Sequence, residues 1–158
     1  MSYSVRFRNW LLRTSLAGAG VLTEVTGSAC PCMSYKNRNS YSEEWHRQNS
    51  GETDCNGTGL ISTTTTTVNF KGIFCAPALV GRLMPTAKEF MEAIGEIQKD
   101  DMFLWGAVNS TTSAVVELAG QDEYYDYITY NSNKYIIRDV SDLPGQVGQV
   151  AHLVRKKN

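Results

Sequence analysis

Three of the four cysteines and one of the two histidines lie close together in the chain, as Cys30-Pro31-Cys32, Trp45-His46 and Cys55-Asn56-Gly57-Thr58-Gly59. Thiolate sulfur and neutral imidazole are the ligands that zinc takes in tetrahedral sites, where they converge to about 2.0–2.3 Å from one ion. Cys30 and Cys32 supply two donors, and Pro31 stiffens the turn between them. Cys55 supplies a third, with Gly57 and Gly59 letting the backbone fold closely around the ion. His46 is the expected fourth ligand, and Asp54 and Cys75 are the alternatives. Four protein ligands leave no open coordination position, so the zinc is expected to be structural and the protein not an enzyme. Cys-x-Cys spacing in a polar loop also suits a metal better than a close-range disulfide. Cys75, set in Ile73-Phe74-Cys75-Ala76, reads most simply as a buried core thiol.

Other candidate chemistry is thinner. The chain has no phosphate-cradling glycine loop with its lysine, no nucleophile elbow and no metalloprotease helix motif. Asp100-Asp101 reads as a pair of solvated turn acids, and His152, alternating with Leu153, as a surface strand histidine. Tyr124, Tyr125, Tyr127, Tyr130 and Tyr135 could form a base-stacking platform. Their neighbours Asp122, Glu123 and Asp126 would repel phosphate, which favours packing across a hairpin instead.

The ligands need a frame. Residues 28–59, made largely of Ser, Asn, Tyr, Gly and charged side chains, cannot bury enough apolar surface to offset their own ordering entropy. They are expected to form a metal-stapled knuckle without regular structure. Residues 1–27 read as an N-terminal arm with a helix from about Asn9, weakened by Gly18 and Gly20 and finished by Gly27. Val5, Leu12 and Leu16 share its helical spacing, and Arg6, Arg8 and Arg13 its solvated face.

Residues 60–158 carry the strand signals. Leu60 to Phe74 reads as one long strand, because the threonines of its run are β-branched and fit a half-buried pleat. Thr86-Ala87-Lys88-Glu89 is a capping box that predicts a helix from about 87, although Ala93 to Gln98 could equally pair as a strand. Lys99-Asp100-Asp101 then turns into the strand Met102 to Trp105. Val115 to Leu118 is a short strand, and Tyr124 to Tyr130 and Lys134 to Val140 form a hairpin through Asn131-Ser132-Asn133. Gly148 to Arg155 closes the series. The fold class is therefore mainly β, a small barrel or sandwich with an N-terminal helix and an inserted zinc-stapled loop, since closure removes exposed edges.

At 158 residues the chain is long enough for one sizeable core. With 15 basic and 16 acidic residues its charge nearly balances, so the whole molecule is not patterned for nucleic acid or a membrane surface. The N-terminal residues superficially suit a transit peptide, and Gly27-Ser28-Ala29-Cys30 a lipoprotein cleavage site. Arg13, Glu24 and the lack of an apolar run near 18 residues argue instead for a soluble, unprocessed chain.

Taken together, Cys30-Pro31-Cys32, Glu44-Trp45-His46-Arg47-Gln48, Cys55-Asn56-Gly57-Thr58-Gly59-Leu60-Ile61 and the hairpin of Asp126 to Tyr130 with Lys134 to Val140 resemble the head-to-tail connector, or head-closure (stopper), proteins of tailed bacteriophages. The resemblance covers residues 28–155 in outline. It implies a β-barrel subunit in a homo-oligomeric ring of the virion neck, assembled in the host cytoplasm. That ring would contact a portal or adaptor protein on one side and a tail-terminator or tail protein on the other. Genomic DNA would pass through its channel without sequence-specific contact. Some related versions have Cys-x-x-Cys before the Gly-x-Gly; Glu52 stands where the extra cysteine would be, which makes His46 more necessary. The competing expectation is a zinc-knuckle module that binds nucleic acid or protein.

Overall fold

The computed structural model describes residues 3–37, 41–83, 87–120 and 126–156. Six antiparallel strands close into a barrel: β1 (Gly18–Ala29), β2 (Leu60–Cys75), β3 (Met102–Asn109), β4 (Tyr127–Tyr130), β5 (Asn133–Asp142) and β6 (Gln149–Arg155). Their order around the barrel is β1-β2-β3-β6-β5-β4, with β4 returning to β1. The interior is filled by side chains, as a barrel this small requires. Leu22, Phe70, Leu104, Ile128, Tyr135, Ile137 and Leu153 meet there. The aromatic hairpin residues pack as expected: Tyr135 is buried and Tyr130 lies flat on Phe74, ring centres 3.8 Å apart. Tyr124 and Tyr125 lie outside the described residues.

A second core lies on the outer wall of β2, β3 and β6, where Ile73, Cys75, Phe103 and Val150 are covered by helix α1 (Val5–Arg13) and by Val80, Leu83, Ala87, Phe90, Ile94 and Ile97. The helix starts four residues before the expected Asn9, with no extended arm. Ser4 sets the start, its Oγ accepting from the Phe7 N–H at 3.1 Å, which satisfies one of the orphan donors of the first turn. The buried face is Phe7 and Leu11, whereas Val5 and Leu16 are 61% and 55% exposed, so the expected Val5, Leu12, Leu16 stripe is not the packed one. Gly106, at φ +69°, lets α1 approach: a Cβ there would stand 3.0 Å from Leu11 and 3.1 Å from Phe7.

The larger correction is β1. Residues 18–29, expected to be weakened helix and then irregular, form a twelve-residue strand. Gly18 and Gly20 are not breakers here, because they give room to rings: a Cβ on Gly20 would lie 2.6 Å from Phe70. Close approach of another group is a standard reason for glycine in a strand. Leu60–Cys75 is one long strand as expected. Helix α2 (Glu43–Gln48) and a short 3₁₀ stretch at Pro31–Asn37 occupy the loop expected to lack regular structure. Helices α3 (Val80–Leu83) and α4 (Lys88–Ala93) precede the turn at Lys99-Asp100, so Ala93 to Gln98 is not a strand. Thr86 of the capping box lies outside the described residues. Val115 to Leu118 makes only an isolated bridge from Val115 to Val108, because the chain leaves the sheet after one contact.

Candidate metal centre

The β1–β2 ladder continues past the barrel. β4 pairs with β1 only at Val21–Thr23 and β3 with β2 only from Phe70 to Cys75, yet β1 and β2 stay paired out to Ala29 and Leu60. Residues 62–67 are exposed on both faces, so this part is a two-stranded ribbon projecting from the barrel wall. The chain between Ala29 and Leu60 forms a knuckle at its tip.

The knuckle brings Cys30, Cys32, His46 and Cys55 together, their donor atoms all within 4.8 Å of one another. Cys30 follows β1 directly and its N–H donates to the Gly59 carbonyl at 2.8 Å, which fixes it to the base of the opposite strand. Cys32 sits in the 3₁₀ turn, where the Met33 N–H donates to the Cys30 carbonyl at 3.0 Å. His46 is carried by α2, whose N-cap Ser42 accepts from Trp45 N–H at 3.2 Å. Its ring is stacked on Tyr41 and met edge-on by Trp45. Cys55 opens a turn in which Asn56, Gly57 and Gly59 all have positive φ, at 49°, 81° and 76°. A Cβ on Gly59 would lie 2.6 Å from the Met33 sulfur, so glycine serves both the turn and the close approach.

The distances match a tetrahedron. With bonds of about 2.3 Å to sulfur and 2.0–2.1 Å to nitrogen, two sulfurs stand about 3.8 Å apart and a sulfur and a nitrogen about 3.5 Å. Cys32 Sγ is 3.7 Å from Cys55 Sγ, and His46 Nε2 is 3.5 Å from Cys30 Sγ and 3.4 Å from Cys55 Sγ. All the cysteines are free thiols. The four donor atoms are thus placed to bind a metal ion.

Electrostatics point the same way. Burial first, and then the Cys30 and Cys55 thiols, push Cys32 up to about 12. Burial also raises Cys55, but hydrogen bonds from the Gly59 backbone, His46 and the other two thiols outweigh it and hold Cys55 below its ordinary value. The site thus eases ionisation of Cys55 and resists that of Cys32. A cation among them reverses that penalty and drives the thiols to ionise.

The alternatives fall elsewhere. Asp54 Oδ1 is 3.9 Å from His46 Nδ1, the nitrogen facing away from the thiols, and accepts from Asn56 N–H at 2.9 Å. Asp54 thus faces the side of the imidazole remote from the thiols and, at this distance, makes no hydrogen bond to the ring, so it is not placed as a ligand. Cys75 ends β2, fifteen residues and about 50 Å of strand rise from Leu60. It is buried in the outer-wall core and burial alone raises its thiol to about 11, as expected of a core cysteine.

Another constellation was read differently from sequence. His152 is 1% exposed, not on the surface, and Asp101 is 4% exposed, not solvated. His152 Nε2 donates to Asp101 Oδ2 at 2.8 Å, and Nδ1 lies 3.4 Å from Asp139 Oδ2. Asp101 also accepts from the Gln98 N–H at 2.8 Å, and Phe103 stacks on the imidazole. The signal was present: His152 stands in the apolar run Val150-Ala151-His152-Leu153-Val154, which reads as a strand buried on both faces. No nucleophilic side chain is hydrogen-bonded to this histidine among the described residues, and its partners tie β6 to the start of β3 and to β5.

No protein-family model matches the chain, and no curated protein sequence matches it. Fold and site together define a small closed β-barrel that carries, on a projecting ribbon, a Cys₃His knuckle placed to bind a metal ion.

Proposed function

We propose that this protein is a structural assembly protein of a tailed-bacteriophage neck, a ring subunit of the connector or head-closure type, with zinc as the structural ion of its knuckle. The observation that carries this reading is the ribbon with its four-ligand tip. Zinc is favoured because three thiolates and an imidazole in a tetrahedron are its preferred set, and four protein ligands leave no position for substrate. A rigid tip held away from a closed barrel is suited to reaching a neighbouring ring.

A second feature supports assembly. Trp10 and Phe7 of α1, with Trp105 and Val147, line an apolar cleft of about 350 Å³ open at the barrel wall. Trp10 is 40% exposed beside it. The alternative, a knuckle that grips nucleic acid, is less well supported by the tip's charge. Its Lys36 is held by Glu44 at 2.9 Å, and Glu43, Glu52 and Asp54 stand nearby in the sequence. No described helix is long and apolar enough to cross a membrane.

The test is co-assembly. Full-length protein mixed with the portal and tail proteins encoded beside it should form rings visible by electron microscopy and show no binding to duplex DNA in a salt titration. Salt-dependent DNA binding, or failure to join any portal or tail component, overturns the neck reading.

A further inference from the structure

We infer that the free edge of β2 at Thr63–Thr67 is a strand-pairing surface that takes the same edge of a second copy of this chain. Among the described residues, β2 is paired there on one side only, with β1. The neighbour on the other side, β3, ends at Asn109, and the last bond of that edge is from Ser110 N–H to the Asn69 carbonyl at 3.0 Å. From Thr67 to Thr63 the edge continues in line with an established sheet but without a partner strand.

The outward groups can be identified. Val25 N–H donates at 2.9 Å to Asp126 Oδ1, which lies on the far side of β1 from β2. Val25 and its partner Thr65 are therefore a pair whose N–H and C=O groups point away from each other. Alternation makes Thr65 and Thr67 the outward-bonding residues, in one row with Asn69, as far as the register shift that falls at Ser62–Thr63. Ser62, at φ +53° beside the register shift, ends the row at the tip.

Exposed edges are ordinarily blunted by charge, proline or a covering element. This one has five β-branched, uncharged threonines with no charge or proline among them, and no described strand pairs with it on this side. The occupant follows from the run itself. Five identical residues are their own antiparallel complement: a two-fold axis at Thr65 sets Thr65 opposite Thr65 and Thr63 of one copy opposite Thr67 of the other. The central Thr65 pair exchanges two backbone hydrogen bonds, and Thr67 of each copy offers its outward N–H and C=O beside it. Threonine opposite threonine is a favourable cross-strand pair. The two ribbons become a four-stranded sheet, which a lone two-stranded ribbon needs for stability.

This contact is isologous and closes at two copies, whereas a ring needs a heterologous one, so it does not rest on the neck reading. The experiment is sedimentation equilibrium of the zinc-loaded full chain over a concentration series. Wild type should show a monomer–dimer equilibrium. Thr65→Pro removes one outward N–H per copy and no β1–β2 bond, and should weaken dimerisation at least tenfold. Independently, Thr65→Lys sets two like charges opposite each other across the axis and leaves every β1–β2 bond in place, so it should also weaken dimerisation. A wild type that stays monomeric at every concentration, or a Thr65→Pro or Thr65→Lys protein that self-associates as strongly as wild type, overturns the proposal.

Discussion

Removing the metal should unfold the knuckle and leave the barrel standing. Among the described residues, the buried side chains of the knuckle are Cys30, Cys32 and Cys55, with Met33, Tyr41, Trp45 and Ile61 partly covered around them. Burying that set contributes at most about 10 kcal/mol. Ordering the backbone of residues 30–55 costs more, at least about 25 kcal/mol at roughly 1 kcal/mol per residue. Hydrogen bonds within the loop narrow the gap, and binding of a structural zinc ion adds about 10–16 kcal/mol. Neither barrel core contains a knuckle residue, so its loss does not propagate. Hydrogen exchange followed by mass spectrometry, before and after a strong chelator, is the direct assay. Protection should vanish across 30–59 and persist in β3, β5 and β6, and the emission of Trp45 should shift to the red. Replacing His46 by alanine should reach the same state at lower chelator concentration, with metal affinity reduced by more than the 10–100-fold typical of losing an outer partner. A knuckle that remains protected once elemental analysis shows the metal gone would refute the reasoning.

Two further predictions concern the barrel. Asp101→Ala leaves one buried donor, His152 Nε2, and the part-buried Gln98 N–H without their acceptor and should cost about 1–3 kcal/mol in urea denaturation; a change well under about 1 kcal/mol would mean that the pair is not closed in solution. Cys75, raised to about 11 by burial, stays neutral in the folded state between pH 9 and 11 while the unfolded thiol ionises. Stability should therefore be fully retained below pH 9 and fall by up to about 3 kcal/mol as pH rises to 11. Cys75→Val should flatten that part of the pH profile, and an unchanged slope would assign the loss to other groups.

Which elements could be read from sequence follows from where their information sits. β2, β3 and the β4–β5 hairpin carry local signals, β-branched runs and turn residues that hold in any context. The grouping of Cys30, Cys32, His46 and Cys55 was equally legible, because candidate metal donors are recognised by chemical type and need only loops long enough to converge. β1 was not, because the reason for Gly18 and Gly20 lies on β2 and β4: Phe70, Phe74 and Tyr130 occupy the space that side chains there would fill. The packed face of α1, unlike the start that the local cap Ser4 sets, was missed for a similar reason. It is chosen by Gly106 and Trp105, nearly a hundred residues away, and not by the spacing of Val5, Leu12 and Leu16. His152 and Asp101 belong to the same kind, each a polar residue whose partner comes from another strand.

The ribbon between the two folded parts determines how they influence each other. Strands β1 and β2 are continuous from the barrel wall to Cys30 and Gly59, so the tip inherits its direction from the barrel through a β-ladder and not through a flexible linker. Yet the exposed stretch at Ser62–Thr67 has no core of its own, and the register shift near Ser28 and Ile61 interrupts the ladder just below the tip. A cation at the tip fixes both ends of the excursion at Cys30 and Cys55, and so clamps the far end of the ribbon from outside. Metal binding should thus stiffen the ribbon as well as the knuckle, and anything that pairs with its edge gains from a ribbon already ordered. The barrel keeps its stability in either state, which lets the projecting part depend on metal without placing the whole fold at risk.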